Sequence, residues 1–267
     1  EVQGLEQGPF EPIAVIGVSA LMPDAPDIDS FWQNILDSKV SIRQIPEHRW
    51  IGPVDHFFRD GGPGNIEEGY TYARIGAVVE GYEFDWRRWK QPPGTLTQID
   101  LAQQWAVSVA AAAIEHAGYD GESKDIDRLR TGVAFANALG GENRNLSNIR
   151  IYSNHTKELA KSFGMPTANG DAFVDAINTG APRVNEDTMP GELANVVAGR
   201  VSNLLDLQGP NFAMDAACAS SLATLMDACR LLQMRQVDVM IAGATDRSMD
   251  APTFAKFSAI GALSPTH

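Results

Sequence analysis

Cys218 is the residue whose setting is richest in chemistry. It stands in Asp215-Ala216-Ala217-Cys218-Ala219-Ser220-Ser221-Leu222. Before it, the apolar run Asn211–Asp215 predicts a strand; after it, the Ala- and Leu-rich run Ala219–Gln233 predicts a helix. A cysteine where a helix begins meets the positive end of the helix dipole and unpaired backbone N–H groups. Both favour the thiolate, which is the nucleophilic form, and the same N–H groups can stabilise an oxyanion. Small neighbours (Ala216, Ala217, Ala219, Ser220) leave room for a substrate. The same octapeptide suits a small buried hydrophobe equally well, the usual fate of a free cysteine. Cys229, in the same predicted helix, has no such setting and reads as core packing. At helical rise the two thiols stand about 16 Å apart, beyond disulfide reach. Two cysteines are no disulfide framework, so a reducing, cytoplasmic compartment is expected. Asn145-Leu146-Ser147 and Asn154-His155-Thr156 are then chance matches to the glycosylation pattern.

Other chemistries fail on their spacing. Gly17 follows an apolar run, but GVSALM supplies no second glycine for a dinucleotide pyrophosphate. No G-x-x-x-x-G-K-[ST] occurs. Ser19 lies in G-V-S-A-L, not in the hydrolase elbow G-x-S-x-G. The histidines at 48, 56, 116, 155 and 267 show no metal spacing. Asp24, Asp27 and Asp29 lack the glycine and terminal glutamate of a calcium loop and read as a capping, solvated loop. The chain of 267 residues is 44% hydrophobic and 21% charged, with a net charge of −13. These are globular proportions, and the negative balance argues against an extended nucleic-acid or anionic-membrane surface. No apolar run approaches the roughly 20 residues of a bilayer span. The first residues carry neither a basic nor an apolar signal region. With no initiator Met, the sequence is expected to be a processed or internal piece.

The elements that must position Cys218 alternate. Residues 1–11 read as a linker. Ile13–Gly17 reads as a buried strand, and Asp27 and Asp29 cap a helix from about Ser30 to Asp37. Residues 40–98 read as a long irregular segment with short strands. Leu101–Gly118 is a strong helix preceded by Asp100, with Gly118 as its stop. Thr131–Ala136 reads as a strand. Residues 139–190 read as loop-rich, with short helices around His155–Phe163 and Asp171–Asn178. Gly191–Leu205 reads as a helix and Val237–Ala244 as a buried strand. Near-continuous apolar strands alternating with helices predict an α/β layered domain.

A family resemblance runs through these elements. Gly209-Pro210-Asn211, DAACASSL around Cys218, Ala242-Gly243-Ala244-Thr245-Asp246 and the stretch Phe257 to Ser264 (FSAIGALS) resemble the β-ketoacyl synthases of fatty-acid and polyketide synthesis. IAVIGVSALMPDAPDIDSFWQNI near the N-terminus is similar to the opening of modular type I ketosynthases. So are Asp100-Leu101-Ala102-Gln103-Gln104 and AAIEHAGY at 112–119. FDWRRWKQPP at 84–93 looks closer to iterative enzymes such as polyunsaturated fatty acid synthases. The resemblance spans about residue 11 to His267.

The resemblance implies a thiolase-like fold, layered α-β-α-β-α, of which this chain covers mainly the first half (12–267). It implies a β-ketoacyl-[acyl-carrier-protein] synthase without a bound cofactor, whose substrates ride on the phosphopantetheine of an acyl carrier protein. Cys218 would be the nucleophile and its backbone N–H an oxyanion donor, in a decarboxylative condensation with a malonyl thioester. A homodimer is implied, pairing about Asn211–Ala216 across a two-fold axis. Asn137, Ala138 and Leu139 become candidate acyl-pocket residues, with ordinary strand-end packing as the other reading. Arg87, Arg88 and Lys90, with Trp86 and Trp89, become a candidate docking patch for an acidic carrier protein, or a local packing motif with solvated charges. The family's two decarboxylation histidines belong to its C-terminal half, and none of the five histidines here falls in their motifs. A separate C-terminal half is therefore an expected partner. Two competing readings are a non-catalytic ketosynthase-like scaffold, against which Cys218 argues, and a thiolase-type acyltransferase that needs no malonyl group.

Overall fold

The structure is a computed structural model and describes residues 11–119 and 126–266. The linker reading for residues 1–10 and the final His267 lie outside the described residues. In chain order the elements are α1 (Ile28–Leu36), β1 (Arg43–Gln44), β2 (Ile75–Gly76), α2 (Pro93–Leu96), α3 (Leu101–His116) and β3 (Thr131–Ala136). Then come α4 (Asn143–Ser162), α5 (Thr167–Thr179), α6 (Thr188–Glu192), α7 (Val196–Leu204), β4 (Asn211–Met214), α8 (Ser220–Gln233), β5 (Val239–Ala244) and α9 (Ala251–Ala259). The chain forms two units: one of residues up to Ala20 with Leu101–Leu139 and Leu193–Asp246, the other of Leu21–Asp100, Gly140–Glu192 and 247 onward.

The first unit is built on a three-stranded parallel sheet in the order β4-β3-β5. Val133 pairs with Asn211 and Ala136 with Met214 on one side; Thr131 pairs with Val239 and Ala136 with Ala244 on the other. Every residue of the central strand TGVAFA is buried, as expected of a parallel strand covered on both faces. The chain moves from β3 outward to β4 through α7, then back across to β5 through α8. Right-handed crossovers in opposite directions put those helices on opposite faces. Helix α8 lies on the sheet through Ser220, Thr224 and Ala228, a stripe of small side chains at four-residue spacing that lets helix and strands approach closely. Its far side leaves Leu222 (71%), Leu225 and Met226 exposed. Helix α3 packs on α7 through an Ala-rich face in which the buried Gln103 is satisfied. Its carbonyl accepts from Arg200 Nε at 2.6 Å and its amide donates to the Leu193 carbonyl at 3.2 Å. Gly243 makes room for the Phe135 ring, whose Cε1 would lie 2.8 Å from any Cβ there.

The expected strand Ile13–Gly17 is not one. Residues 11–20 have no regular structure and Val15 is 78% exposed. The segment is held at its end instead. Gly17 is pressed so close to the Ala113 carbonyl oxygen that a Cβ would clash with it, and the Val18 N–H donates to His116 Nδ1 at 3.4 Å. The run lies outside the ladder: Ile13, Ala14 and Ile16 line, together with Val239 and Met240 of β5, a cavity of about 480 Å³.

The second unit gives the irregular segment 40–98 a core of its own. Ile45, Trp50, Val54, Tyr72, Ala73 and Val78 pack with Ala251 and Phe254 of α9. Trp50 meets Phe254 at a centroid distance of 5.2 Å and donates Nε1–H to the Met249 carbonyl at 2.8 Å. The buried hydroxyls of Thr71 and Ser258 bond at 2.8 Å. Asp27 caps α1, accepting from Ser30 N–H at 2.7 Å, and Asp250 caps α9, accepting from Thr253 N–H.

Two sequence expectations change here. Residues 139–190 are not loop-rich: α4 and α5 form a helical pair that contains both of the shorter expected helices. The face that α4 buries carries Asn143, Ser147 and Ser153 rather than an apolar stripe, so its period does not show, and polar contacts join the pair. Arg150 reaches the Asn178 and Ala181 carbonyls at 2.8 and 2.5 Å. Lys157 of α4 bonds Asp171 of α5, which holds the Asp171 carboxyl below the usual carboxylate range and the Lys157 ammonium above its own. The expected helix Gly191–Leu205 is broken between α6 and α7. Gly191 is pressed to the Gln98 carbonyl, with no room for a Cβ, and its own carbonyl accepts from Asp100 N–H at 3.0 Å.

Candidate active site

In a parallel sheet, the loops that follow the strands gather at their C-terminal ends, where open α/β sheets bind ligands. Here that end carries Cys218 after β4, Asn137 to Leu139 after β3, and Thr245 and Asp246 after β5. Asn137 N–H extends the ladder by donating to the Met214 carbonyl at 3.2 Å. The buried Asn137 amide donates to the Thr245 carbonyl at 2.9 Å, so it ties two of the three strand ends together. Ala138 is half-buried and Leu139 is exposed.

The link from β4 to α8 is short and its geometry is specific. Ala217 takes a left-handed backbone (φ +49°), a conformation that costs an L-residue about 1–2 kcal/mol. A single 3-10 turn, Ala217–Ala219, then carries Cys218 into α8. Two side chains hold this turn. Asp215 Oδ1 accepts from Ala217 N–H at 2.9 Å, an Asx-turn contact. The buried Ser220 hydroxyl accepts from Ala216 N–H at 2.8 Å and donates to the Ala217 carbonyl at 2.6 Å. Each such bond is worth about 1 kcal/mol net, enough together to offset the cost at Ala217. Cys218 is exposed at the tip, and among the described residues its N–H has no protein acceptor. A strained strand-to-helix turn with the reactive side chain at its apex is the mechanical idea of the nucleophile elbow. Cys229 is a free, half-buried thiol within α8, beside the buried Ala228.

His116 does not approach this end. Thr245 Oγ1 donates to the Ala102 carbonyl at 3.0 Å, which fixes the start of α3 beside the C-terminal end of β5. His116 closes the same helix, about 20 Å further along its axis. In the second unit, Arg87, Arg88 and Lys90 are exposed on a turn. The Arg87 guanidinium lies 4.5 Å from the Trp86 ring centre and that of Arg88 4.7 Å from Trp89. Lys90 has a left-handed backbone (φ +51°).

Sequence reasoning passes over Asp215 and Ser220. An Asp two residues ahead of a residue that must turn sharply is the signal that marks Asp215. It also passes over Asp100 and Glu142 in the second unit. Asp100 Oδ2 accepts from the Glu142 and Asn143 N–H groups at 2.7 and 2.9 Å, so the carboxylate just before α3 serves the N-terminus of α4.

Among solved structures, the oxazolomycin ketosynthase domain OzmH KS7 of Streptomyces albus JA3453 superposes with a TM-score of 0.70 at 24% identity, covering 94% of this chain and 37% of that one. The ketosynthase from module 6 of the bacillaene synthase of Bacillus subtilis 168 gives 0.68 at 20% identity, covering 94% and 35%. The fold is thus the thiolase-like fold of ketosynthase domains. The three-stranded sheet with helices on both faces supplies an α-β-α portion of its layers.

The chain belongs to the β-ketoacyl synthase family: the model of the beta-ketoacyl synthase N-terminal domain matches residues 10–267. Polyketide synthase ThaG of Burkholderia thailandensis is 32% identical over 238 residues, 89% of this chain and 4% of that protein. A polyunsaturated fatty acid synthase polypeptide of Thraustochytrium sp. is 28% identical over 235 residues, 87% of this chain and 8% of that protein. The chain therefore spans a small part of the relatives it matches. Among the described residues, no helix is long and apolar enough to cross a membrane.

Proposed function

We propose that this chain is the nucleophile-bearing part of a β-ketoacyl synthase acting in polyketide or fatty-acid synthesis, in the cytoplasm. The observation that carries the reading is the exposed Cys218 at the apex of a strained turn between β4 and α8, in a chain of this family. In the first step the Cys218 sulfur attacks the carbonyl of an acyl thioester on a carrier's phosphopantetheine. A Cys S–acyl bond forms, the carrier's C–S bond breaks, and the thiol proton leaves with the carrier sulfur. In the second step a malonyl thioester loses carbon dioxide. The electron pair of the broken C–C bond attacks the acyl-cysteine carbonyl, and the Cys218 thiolate leaves. One hard condensation becomes two easier steps, with the Cys218 N–H as one donor to the transient oxyanion.

The groups that assist decarboxylation come, in this reading, from the C-terminal half of the ketosynthase. The exposed Leu222, Leu225 and Met226 of α8 suit such a partner. Ala138 and Leu139 would face the acyl chain, with Asn137 fixing their loop. Among the described residues the outer edge of β4 has no paired strand, and it suits pairing with a second copy as a homodimer. The test is malonyl dependence. Acyl-primed protein with its C-terminal half supplied should release carbon dioxide and form a β-ketoacyl product only when given a malonyl thioester. Product from an acetyl thioester alone would favour a thiolase-type reaction.

Arg87, Arg88 and Lys90 are proposed to meet the acidic carrier. Reversing the charges at Arg87 and Arg88 should raise the carrier KM and leave kcat in place, since exposed charges act on encounter. An unchanged KM, measured with the natural carrier, removes this role.

A further inference from the structure

We infer that Asp215 and Ser220 are positioning residues for the acylation of Cys218, an inference that rests on the function proposed above. Without the left-handed residue at 217 the link from β4 would enter α8 along another path, and the Cys218 N–H and thiol would turn with it. Ala217 has a Cβ and gains nothing locally from φ +49°. The conformation is held from both sides. Asp215 Oδ1 takes the Ala217 N–H, while the Ser220 hydroxyl bridges the Ala216 N–H and the Ala217 carbonyl. Ser220 is buried, and its hydroxyl both accepts and donates within this bridge. Asp215 is exposed, yet its carboxylate is spent on the same turn. The bonds thus fix two things at once: the direction of the Cys218 sulfur and the freedom of its N–H to receive an oxyanion.

The distinction between positioning and plain stability lies in which reaction is affected. Acylation by a thioester needs both the attack direction and the N–H donor. Alkylation by iodoacetamide generates no oxyanion and needs only an exposed thiol. Ser220→Ala and Asp215→Ala, each in the full chain, should therefore acylate about 10²-fold more slowly with an acyl-N-acetylcysteamine thioester, the scale of a misplaced reacting group or a lost oxyanion donor. Their alkylation at Cys218 should match that of the unaltered protein. Ser220→Thr, which keeps a hydroxyl, should retain most of the rate. Adding Ala217→Gly to Ser220→Ala should restore much of it, because glycine holds the left-handed turn without the clip.

Acylation of Ser220→Ala at the unaltered rate overturns the inference. So does a parallel loss of acylation and alkylation with no rescue by Ala217→Gly, since that pattern reports a collapsed turn. If the unaltered protein itself is not acylated, the proposed function fails and this inference falls with it. That outcome is distinguishable because it is seen before any variant is compared.

Discussion

Cys218→Ala protein incubated with an acyl thioester is expected to show no added mass, where the unaltered chain gains one acyl group. The effect should be near complete, because the acyl chain is held by one covalent bond and alanine offers no atom to form it. The only other thiol, Cys229, is half-buried in the body of α8. It lacks the left-handed residue and the open N–H, so it should not substitute. Cys218→Ser separates nucleophile from geometry: the turn can persist, but a serine hydroxyl without an adjacent base is a poor nucleophile. Its adduct should form orders of magnitude more slowly. Intact mass spectrometry reads all three proteins in the same experiment. A Cys218→Ala protein that acylates normally would move the chemistry elsewhere in the chain.

Glu142→Ala is expected to cost about 3–5 kcal/mol, the range for removing one partner of a buried ion pair. Glu142 is 4% exposed and Arg49 15%. The Arg49 fork donates Nη1 to Oε2 at 2.7 Å and Nη2 to Oε1 at 2.5 Å. Glu142 also accepts from the Met249 N–H at 2.9 Å and faces Arg247 at 3.4 Å, which reaches Asp100 Oδ2 at 3.4 Å. Beside them Gly141 (φ +98°) leaves no room for a Cβ, which would clash with the Asp100 carboxylate. Removing Glu142 thus takes the carboxylate from the Arg49 fork, while Arg247 keeps Asp100 and the Met249 N–H keeps the Arg247 carbonyl at 2.7 Å. Urea denaturation followed by tryptophan fluorescence, with Trp50 in the same unit, should show the loss. Glu158→Ala, which breaks the exposed i,i+3 pair with Lys161, is the control. It should cost no more than about 0.5 kcal/mol.

The parts of the fold that are legible in the sequence are those written in apolar pattern. TGVAFA is the buried centre of a parallel sheet, and its bounds show because every residue in it is apolar or small. The strand, cysteine and helix around Cys218 are legible for the same reason, and α3 is marked by its Ala-rich run and Gly118. What pattern does not encode stays hidden. Helix α4 has Asn, Ser and Thr in place of an apolar stripe, and it depends on Asp100, 43 residues before its first residue, for its N-terminus. IAVIG reads as a strand by composition. In the structure it takes no strand partner, and its end at Gly17 packs on the Ala113 carbonyl of α3 instead. One expected helix is two, α6 and α7, parted at residues 193–195, with Gly191 of α6 packed on the Gln98 carbonyl. At the site, residue type points to Cys218 alone. Asp215 and Ser220 act through bonds two to four residues long within a left-handed turn, which only a backbone with its dihedral angles reveals.

The central claim is that Cys218 carries the acyl group. The most direct measurement is peptide mapping by tandem mass spectrometry after exposure to an acyl thioester, with Cys218 and Cys229 resolved in separate peptides. The account predicts the acyl mass on the Cys218 peptide and none on the Cys229 peptide. An adduct on Cys229 alone, or on neither thiol, would contradict it.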